Sequence, residues 1–172
     1  MRWKTLSASL LLLSLPLFAA AAGKIATEWY VNMKFAFSVA YPKEVFIPQG
    51  ESADGGGQKF LSRDGRAIAS AYGYAAPLNQ TLAAAYGEAL LSIGKEDPGR
   101  KVTHKSFKGD AFVIKGTDGE RNFLKKVVYK PVERQFVSFE AVYPASKGAY
   151  YDPLVSTMAN SLKTLQGPPV PR

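Results

Sequence analysis

The chain contains no cysteine and only one histidine in 172 residues. Without a thiol there is no disulfide staple, no thiolate nucleophile and no thiolate metal ligand. A zinc centre of the usual His/Cys kind is excluded by the same count. Histidine-based nucleophilic catalysis would have to be built on His104. That residue falls in an expected strand, Lys101 to Phe107, on one face with Val102 and Ser106, and nothing near it resembles a nucleophile elbow. It reads as an ordinary strand histidine.

Phosphate and calcium loops are missing as well. Gly55-Gly56-Gly57-Gln58-Lys59 lacks the G-x-x-x-x-G-K-[ST] spacing, and no helix start follows to receive a phosphate. Glu51-Ser52-Ala53-Asp54-Gly55 lacks the regular acid spacing of a calcium loop. No cofactor and no metal are expected. The 22 basic and 14 acidic residues are scattered, with no long run of either sign. This describes a soluble, modestly positive surface, and nucleic acid is not an expected partner.

Long apolar runs are scarce too. The one that exists, Leu6 to Phe18, is shorter than the ~20 residues a helix needs to span a bilayer. Arg2 and Lys4 precede it and Ala19 to Ala22 follow it, which makes the three-part pattern of a cleavable secretory leader. Small residues at Ala20 and Ala22 place the cut between Ala22 and Gly23, with cleavage after Ala21 as the near alternative. The cleavage region has no cysteine to carry a lipid. An exported chain without disulfides points to a bacterial periplasm rather than to a small secreted animal protein. The expected organisation is a leader over residues 1–22, one domain over 23–166, and a disordered Pro-rich tail over 167–172. The leader holds two basic and no acidic residues, so its removal lowers the net charge from +8 to +6. After cleavage no membrane-spanning segment is expected.

Periodicity organises the rest. Phe35, Phe37 and Val39 alternate with small residues in a strand over 35–40 that Tyr41-Pro42 ends. A glycine-rich polar loop follows from Pro48 to Gln58. Phe60-Leu61 opens a strand that turns at Arg63-Asp64-Gly65-Arg66, and Ile68, Ser70 and Tyr72 return towards Tyr74. Asn79 or Thr81 can cap a helix whose stripe is Leu82, Ala85, Tyr86, Ala89, Leu90 and Ile93, with Gly94 as terminator. Strands over 101–107, 111–117, 121–130 and 134–143, joined by short turns, predict an antiparallel meander. A second helix is expected with Asp152 as cap and Pro153 in its first position, burying Leu154, Val155, Met158, Ala159, Leu162 and Leu165. The class is α+β, in the order β-β-β-α-β-β-β-β-α: an antiparallel sheet of about six to seven strands with two main helices packed on it.

Tyr41-Pro42-Lys43-x-Val45-Phe46-x-Pro48-Gln49, then Phe60-x-Ser62-x-Asp64-Gly65, Tyr143-Pro144 and Tyr151-Asp152-Pro153-x-Val155, carry a resemblance across Phe35 to Leu165. With these motifs the chain resembles uncharacterised bacterial exported proteins, and in strand order it resembles the wider PsbP-like fold. That resemblance implies a binding, adaptor or chaperone-like module rather than an enzyme.

The polar candidates are few. Glu51, Asp54 and Asp64 surround the glycine-rich loop, and Asp64-Gly65 also suits a hairpin turn. Tyr143, Tyr150 and Tyr151 stand at element ends, where a ring can close a core or line a binding rim. The expected function is a non-catalytic periplasmic binding or interaction protein that engages a protein or peptide. A cell-envelope hydrolase using carboxylates as acid and base, and an envelope-associated structural factor, are the alternatives.

Overall fold

The structure is a computed structural model that describes residues 26–95 and 99–165. The expected leader over 1–22 and tail over 167–172 lie outside the described residues. Ten strands form two antiparallel sheets. The larger has seven strands, in sequence β3 (Phe46–Glu51), β4 (Gly57–Ser62), β5 (Ile68–Ala75), β6 (Arg100–Lys108), β7 (Ala111–Asp118), β8 (Arg121–Lys130) and β9 (Gln135–Pro144). Their order across the sheet is β3-β4-β5-β9-β8-β7-β6. The smaller sheet places β2 (Phe37–Pro42) between β1 (Thr27–Asn32) and the two-residue β10 (Lys163–Thr164). Helix α1 covers Leu82–Lys95, and α2 covers Gly148–Ser161 after a short 3-10 turn at Ala145–Lys147.

Alternation along β9 explains the layers. Val137, Phe139, Ala141 and Tyr143 point to one face, where they meet β2 and α2 in the main core. Phe136 points to the other face and joins Phe112, Ile114, Phe123 and Val127 beneath the Leu82 and Ile93 side of α1. Every residue of β2 is buried, because it lies inside its own sheet and also against the large one. Close approach there depends on small residues of β5. A Cβ on Gly73 would sit 2.3 Å from the Phe35 side chain.

The meander, the Asp64-Gly65 hairpin and α1 stand where periodicity places them, and Thr81 caps α1 by accepting the Ala84 amide at 3.1 Å. Gly94, however, expected to end α1, lies within it, since the helix runs to Lys95. Of the seven strands expected, six are β4 to β9 of the larger sheet and the one over 35–40 is β2 of the smaller sheet, while β1, β3 and β10 are additional. In β1 the outward positions are themselves apolar (Trp29, Val31), which erases the alternation that would reveal a strand. β3 contains Pro48 and Gly50, loop residues that an edge strand with a register shift between Pro48 and Glu51 tolerates. The second helix begins earlier than its Asp152-Pro153 signature. Gly148 starts it, Lys147 is its N-cap residue, and Pro153 lies inside it. The helix also ends at Ser161, so Leu165 leaves its apolar face and instead donates its amide to the Ala36 carbonyl at 2.7 Å.

Candidate functional site

The six polar and aromatic candidates separate into two groups at opposite ends of β4. Glu51 accepts hydrogen bonds from the Tyr30 hydroxyl at 2.7 Å and from Asn32 Nδ2 at 2.8 Å. Burial pushes the Tyr30 hydroxyl up to about 12. Asp54 accepts from Ser52 Oγ at 2.6 Å and from the Gly56 amide at 3.0 Å, and both bonds hold its carboxyl below the usual range. Lys34 donates to the Asp54 carbonyl, and Asn32, fully buried, donates to the Gly55 carbonyl. These bonds fasten loop 52–56 to the β1–β2 turn, which is structural work.

Asp64 lies at the other end, in the β4–β5 turn, and meets α2. Ser62 Oγ donates to its Oδ1 at 2.7 Å, the Tyr151 hydroxyl at 2.6 Å and the Arg66 amide at 3.1 Å, while Lys147 Nζ stands 3.4 Å from Oδ2. The Ser62 and Tyr151 bonds, with the others behind them, hold the carboxyl well below the ordinary range. Burial, then the Asp64 bond, pushes the Tyr151 hydroxyl up. Tyr143 packs on Tyr151 with ring centroids 5.8 Å apart and donates to Asp152 Oδ1 at 2.6 Å; burial is again the first cause of its raised value. Asp152, expected as a helix cap, is thus the acceptor for a tyrosine.

Tyr150 differs from these. Its ring stands edge-on to Tyr151 at 4.9 Å yet remains 53% exposed. It forms the partition between two clefts of about 470 Å³ each. One is polar and takes in Glu44, Arg63, Asp64 and Lys147. The other is apolar and lies between β2 (Ala40, Pro42) and the Ala149, Pro153, Leu154 and Thr157 side of α2. Pro153 has no N–H to return to the Ala149 carbonyl, so that carbonyl lacks its helical partner beside the apolar cleft. Beyond β10, which pairs only with Phe37 and Ser38, the edge of β2 offers little for strand pairing. Its Ala40 amide already donates to Ser161 Oγ at 2.8 Å, and Pro42 has no donor.

Sequence reasoning missed Glu44, Arg63, Lys147, Ala149 and Thr157, because only the docking of α2 against β2 and the β4–β5 turn brings them together. His104 lies exposed on β6, away from both clefts. Among the described residues no group of three His, Asp or Glu side chains could hold a metal ion. No described helix is long and apolar enough to cross a membrane.

Basic residues are densest over the stretch of chain that forms three adjacent strands. The span β6 to β8, Arg100 to Lys130, carries nine basic and three acidic residues, a surplus equal to the whole +6 expected after leader removal. Lys101, Lys105, Lys108 and Lys115 in this span have no carboxylate partner among the described residues.

One seven-stranded and one three-stranded antiparallel sheet, with a helix on each face of the larger, define a PsbP-like α+β fold. Among solved structures, cyanobacterial PsbP (CyanoP) from Synechocystis sp. PCC 6803 superimposes with a TM-score of 0.63 at 14% identity, over 84% of this chain and 95% of that one. The Ran-binding protein Mog1p of Saccharomyces cerevisiae follows with a TM-score of 0.60 at 11% identity, over 83% of this chain and 97% of that one. These likenesses establish the fold. No protein-family model matches the chain, and no curated protein matches its sequence.

Proposed function

We propose that this chain is exported to the periplasm, cleaved between Ala22 and Gly23, and acts there as a non-catalytic module that binds a protein or peptide across Tyr150. The observation that carries the reading is the contrast among the tyrosines. Tyr143 and Tyr151 spend their hydroxyls on Asp152 and Asp64, while Tyr150 presents half its surface between an apolar and a polar cleft. An exposed ring between such clefts is the anchor type that peptide-binding surfaces use. An apolar side chain of the ligand enters beside Pro42 and Leu154, and its polar flank meets Arg63 and Lys147. That Mog1p is a Ran-binding protein supports a protein partner for a fold of this kind. Asp64 is a poor general acid, since its bonds favour the ionised form.

The test has two parts. N-terminal sequencing of the periplasmic protein should begin at Gly23; retention of residues 1–22 in the soluble protein refutes export by this leader. A photo-crosslinking residue in place of Tyr150 should trap a specific envelope protein or peptide. The purified pair should then bind saturably and weaken about tenfold with Tyr150→Ala, the loss expected of an interface anchor. Failure to find a saturable partner refutes the binding reading.

A further inference from the structure

Val132, Met33 and Leu78 are the most exposed large hydrophobic side chains among the described residues, at 90%, 82% and 80%. They lie in three different connections: Val132 between β8 and β9, Met33 between β1 and β2, and Leu78 between β5 and α1. Hydrogen bonds tie these connections to one end of the molecule. The Ala76 amide donates to the Arg134 carbonyl at 2.8 Å, and Lys130 Nζ donates to the Phe35 carbonyl at 3.1 Å. The β6–β7 turn joins them, since the Tyr129 amide donates to the Asp110 carbonyl at 2.8 Å, and loop 52–56 joins through Lys34. This end is opposite the Tyr150 clefts.

Scattered apolar residues at the surface need no explanation, but the three largest exposures gathered at one end do. They are separate tips on separate turns and do not form a groove. A shaped protein partner fits such tips poorly, whereas a fluid surface closes around each of them. Charge supplies the second argument. Lys108 and Arg134 stand on the same turns and have no carboxylate partner among the described residues, and Lys34 stands there beside Asp54. Of the acids there, Glu133 is paired with Lys130 at 3.4 Å, and Glu51 is bonded by Tyr30 and Asn32. Asp54 is bonded by Ser52 and the Gly56 amide beside Lys34, which leaves Asp110 against Lys108 and Arg134. Behind the tips runs the cationic β6 strand, with Lys105 and Lys108 on the nearer half.

We propose that this end docks onto the surface of an anionic phospholipid bilayer, with Met33, Leu78 and Val132 entering the headgroup boundary and the cations facing the lipid phosphates. Shallow apolar insertion combined with electrostatic attraction is the physical basis of peripheral binding. Docked this way, the protein holds the Tyr150 clefts away from the membrane. The inference rests on export only for which membrane is met. Vesicle binding is read on purified protein, so a failure of export and a failure of lipid docking are told apart.

Purified protein that begins at Gly23, whatever its source, is sedimented with vesicles of equal parts phosphatidylglycerol and phosphatidylethanolamine, and with phosphatidylcholine vesicles, in about 50 and about 500 mM NaCl, conditions that lengthen and shorten the screening length. Binding should appear with the anionic vesicles at low salt and fall sharply at high salt. The triple variant Met33→Ser, Leu78→Ser, Val132→Ser should bind at least about tenfold more weakly. Its circular dichroism should match the wild type, because all three side chains are exposed. Lys34→Glu with Lys108→Glu should weaken binding similarly, and Tyr150→Ala should leave it unchanged. The proposal is overturned by absence of binding at low salt, or by a triple variant that binds as well as wild type. It is equally overturned if the triple variant abolishes a lipid-independent dimer, which makes a second copy the occupant. Loss of vesicle binding on removal of residues 166–172 overturns it too, by assigning the contact with lipid to the tail.

Discussion

Asp64 joins the β4–β5 turn to α2 with one carboxylate, because three of its donors come from Ser62, Tyr151 and Lys147. Its folded value is depressed, so its contribution is present above the ordinary carboxylate range and is lost as pH falls through that range towards the folded value. Tyr151→Phe removes a donor to a charged acceptor and should cost about 1.5–3 kcal/mol in urea unfolding at neutral pH. Asp64→Asn should destabilise at pH 7 and flatten the loss of stability between about pH 5 and pH 2, relative to wild type. An unchanged acid limb in Asp64→Asn would show that other carboxylates set it. At the basic extreme the signs reverse. Tyr143 and Tyr151 have raised values, so their contributions are present below the ordinary tyrosine range and are lost as pH rises through the folded values.

At the scale of elements, α2 decides the site. Its buried side is Tyr151, Leu154, Val155, Met158 and Ala159, and its C-terminal end is fixed by Lys126, which donates to the Ala159 carbonyl at 2.8 Å. Ser161 bonds back to Ala40, so the helix is held to β2 and β8 together. Pro153 inside this helix breaks a local rule, since an interior proline costs about 3 kcal/mol. Restoring the N–H with Pro153→Ala should therefore stabilise the protein by roughly 1–3 kcal/mol in thermal or urea unfolding. The same change repairs the bond to the Ala149 carbonyl and removes the ring that walls the apolar cleft, so binding at Tyr150 should weaken while stability rises. A Pro153→Ala variant that is less stable than wild type would show that ring packing outweighs the missing bond.

For the whole molecule, one sheet serves two cores. Phe139 belongs to the α2 core and Phe136 to the α1 core, and both sit on β9 at 0% exposure. Because β9 is shared, the cores should unfold as one unit. Phe136→Ala and Phe139→Ala should each cost about 3–5 kcal/mol and lower one common midpoint, seen alike by circular dichroism and tyrosine fluorescence. Two separated transitions in either variant would make the α1 layer an independent unit. The same architecture puts the Tyr150 clefts at one end of the sheet and the Met33, Leu78 and Val132 tips at the other.

The α+β class, the meander, the hairpin at Asp64-Gly65 and α1 were legible in the sequence because each rests on a local pattern: period two, period 3.6, or a turn dipeptide. The strands β1, β3 and β10 were not, since apolar outward residues, an edge proline and a two-residue pairing leave no local period. The start of α2 was misleading, because the Asp-Pro pair imitates a cap while tertiary contacts extend the helix back to Gly148. Sequence alone determined that the chain has no thiol chemistry and one histidine. Only the tertiary structure decided which acids are spent in internal hydrogen bonds and which of Tyr143, Tyr150 and Tyr151 remains exposed. Those outcomes depend on residues up to 87 positions apart, as in the Tyr151–Asp64 bond, and no local pattern encodes such a meeting.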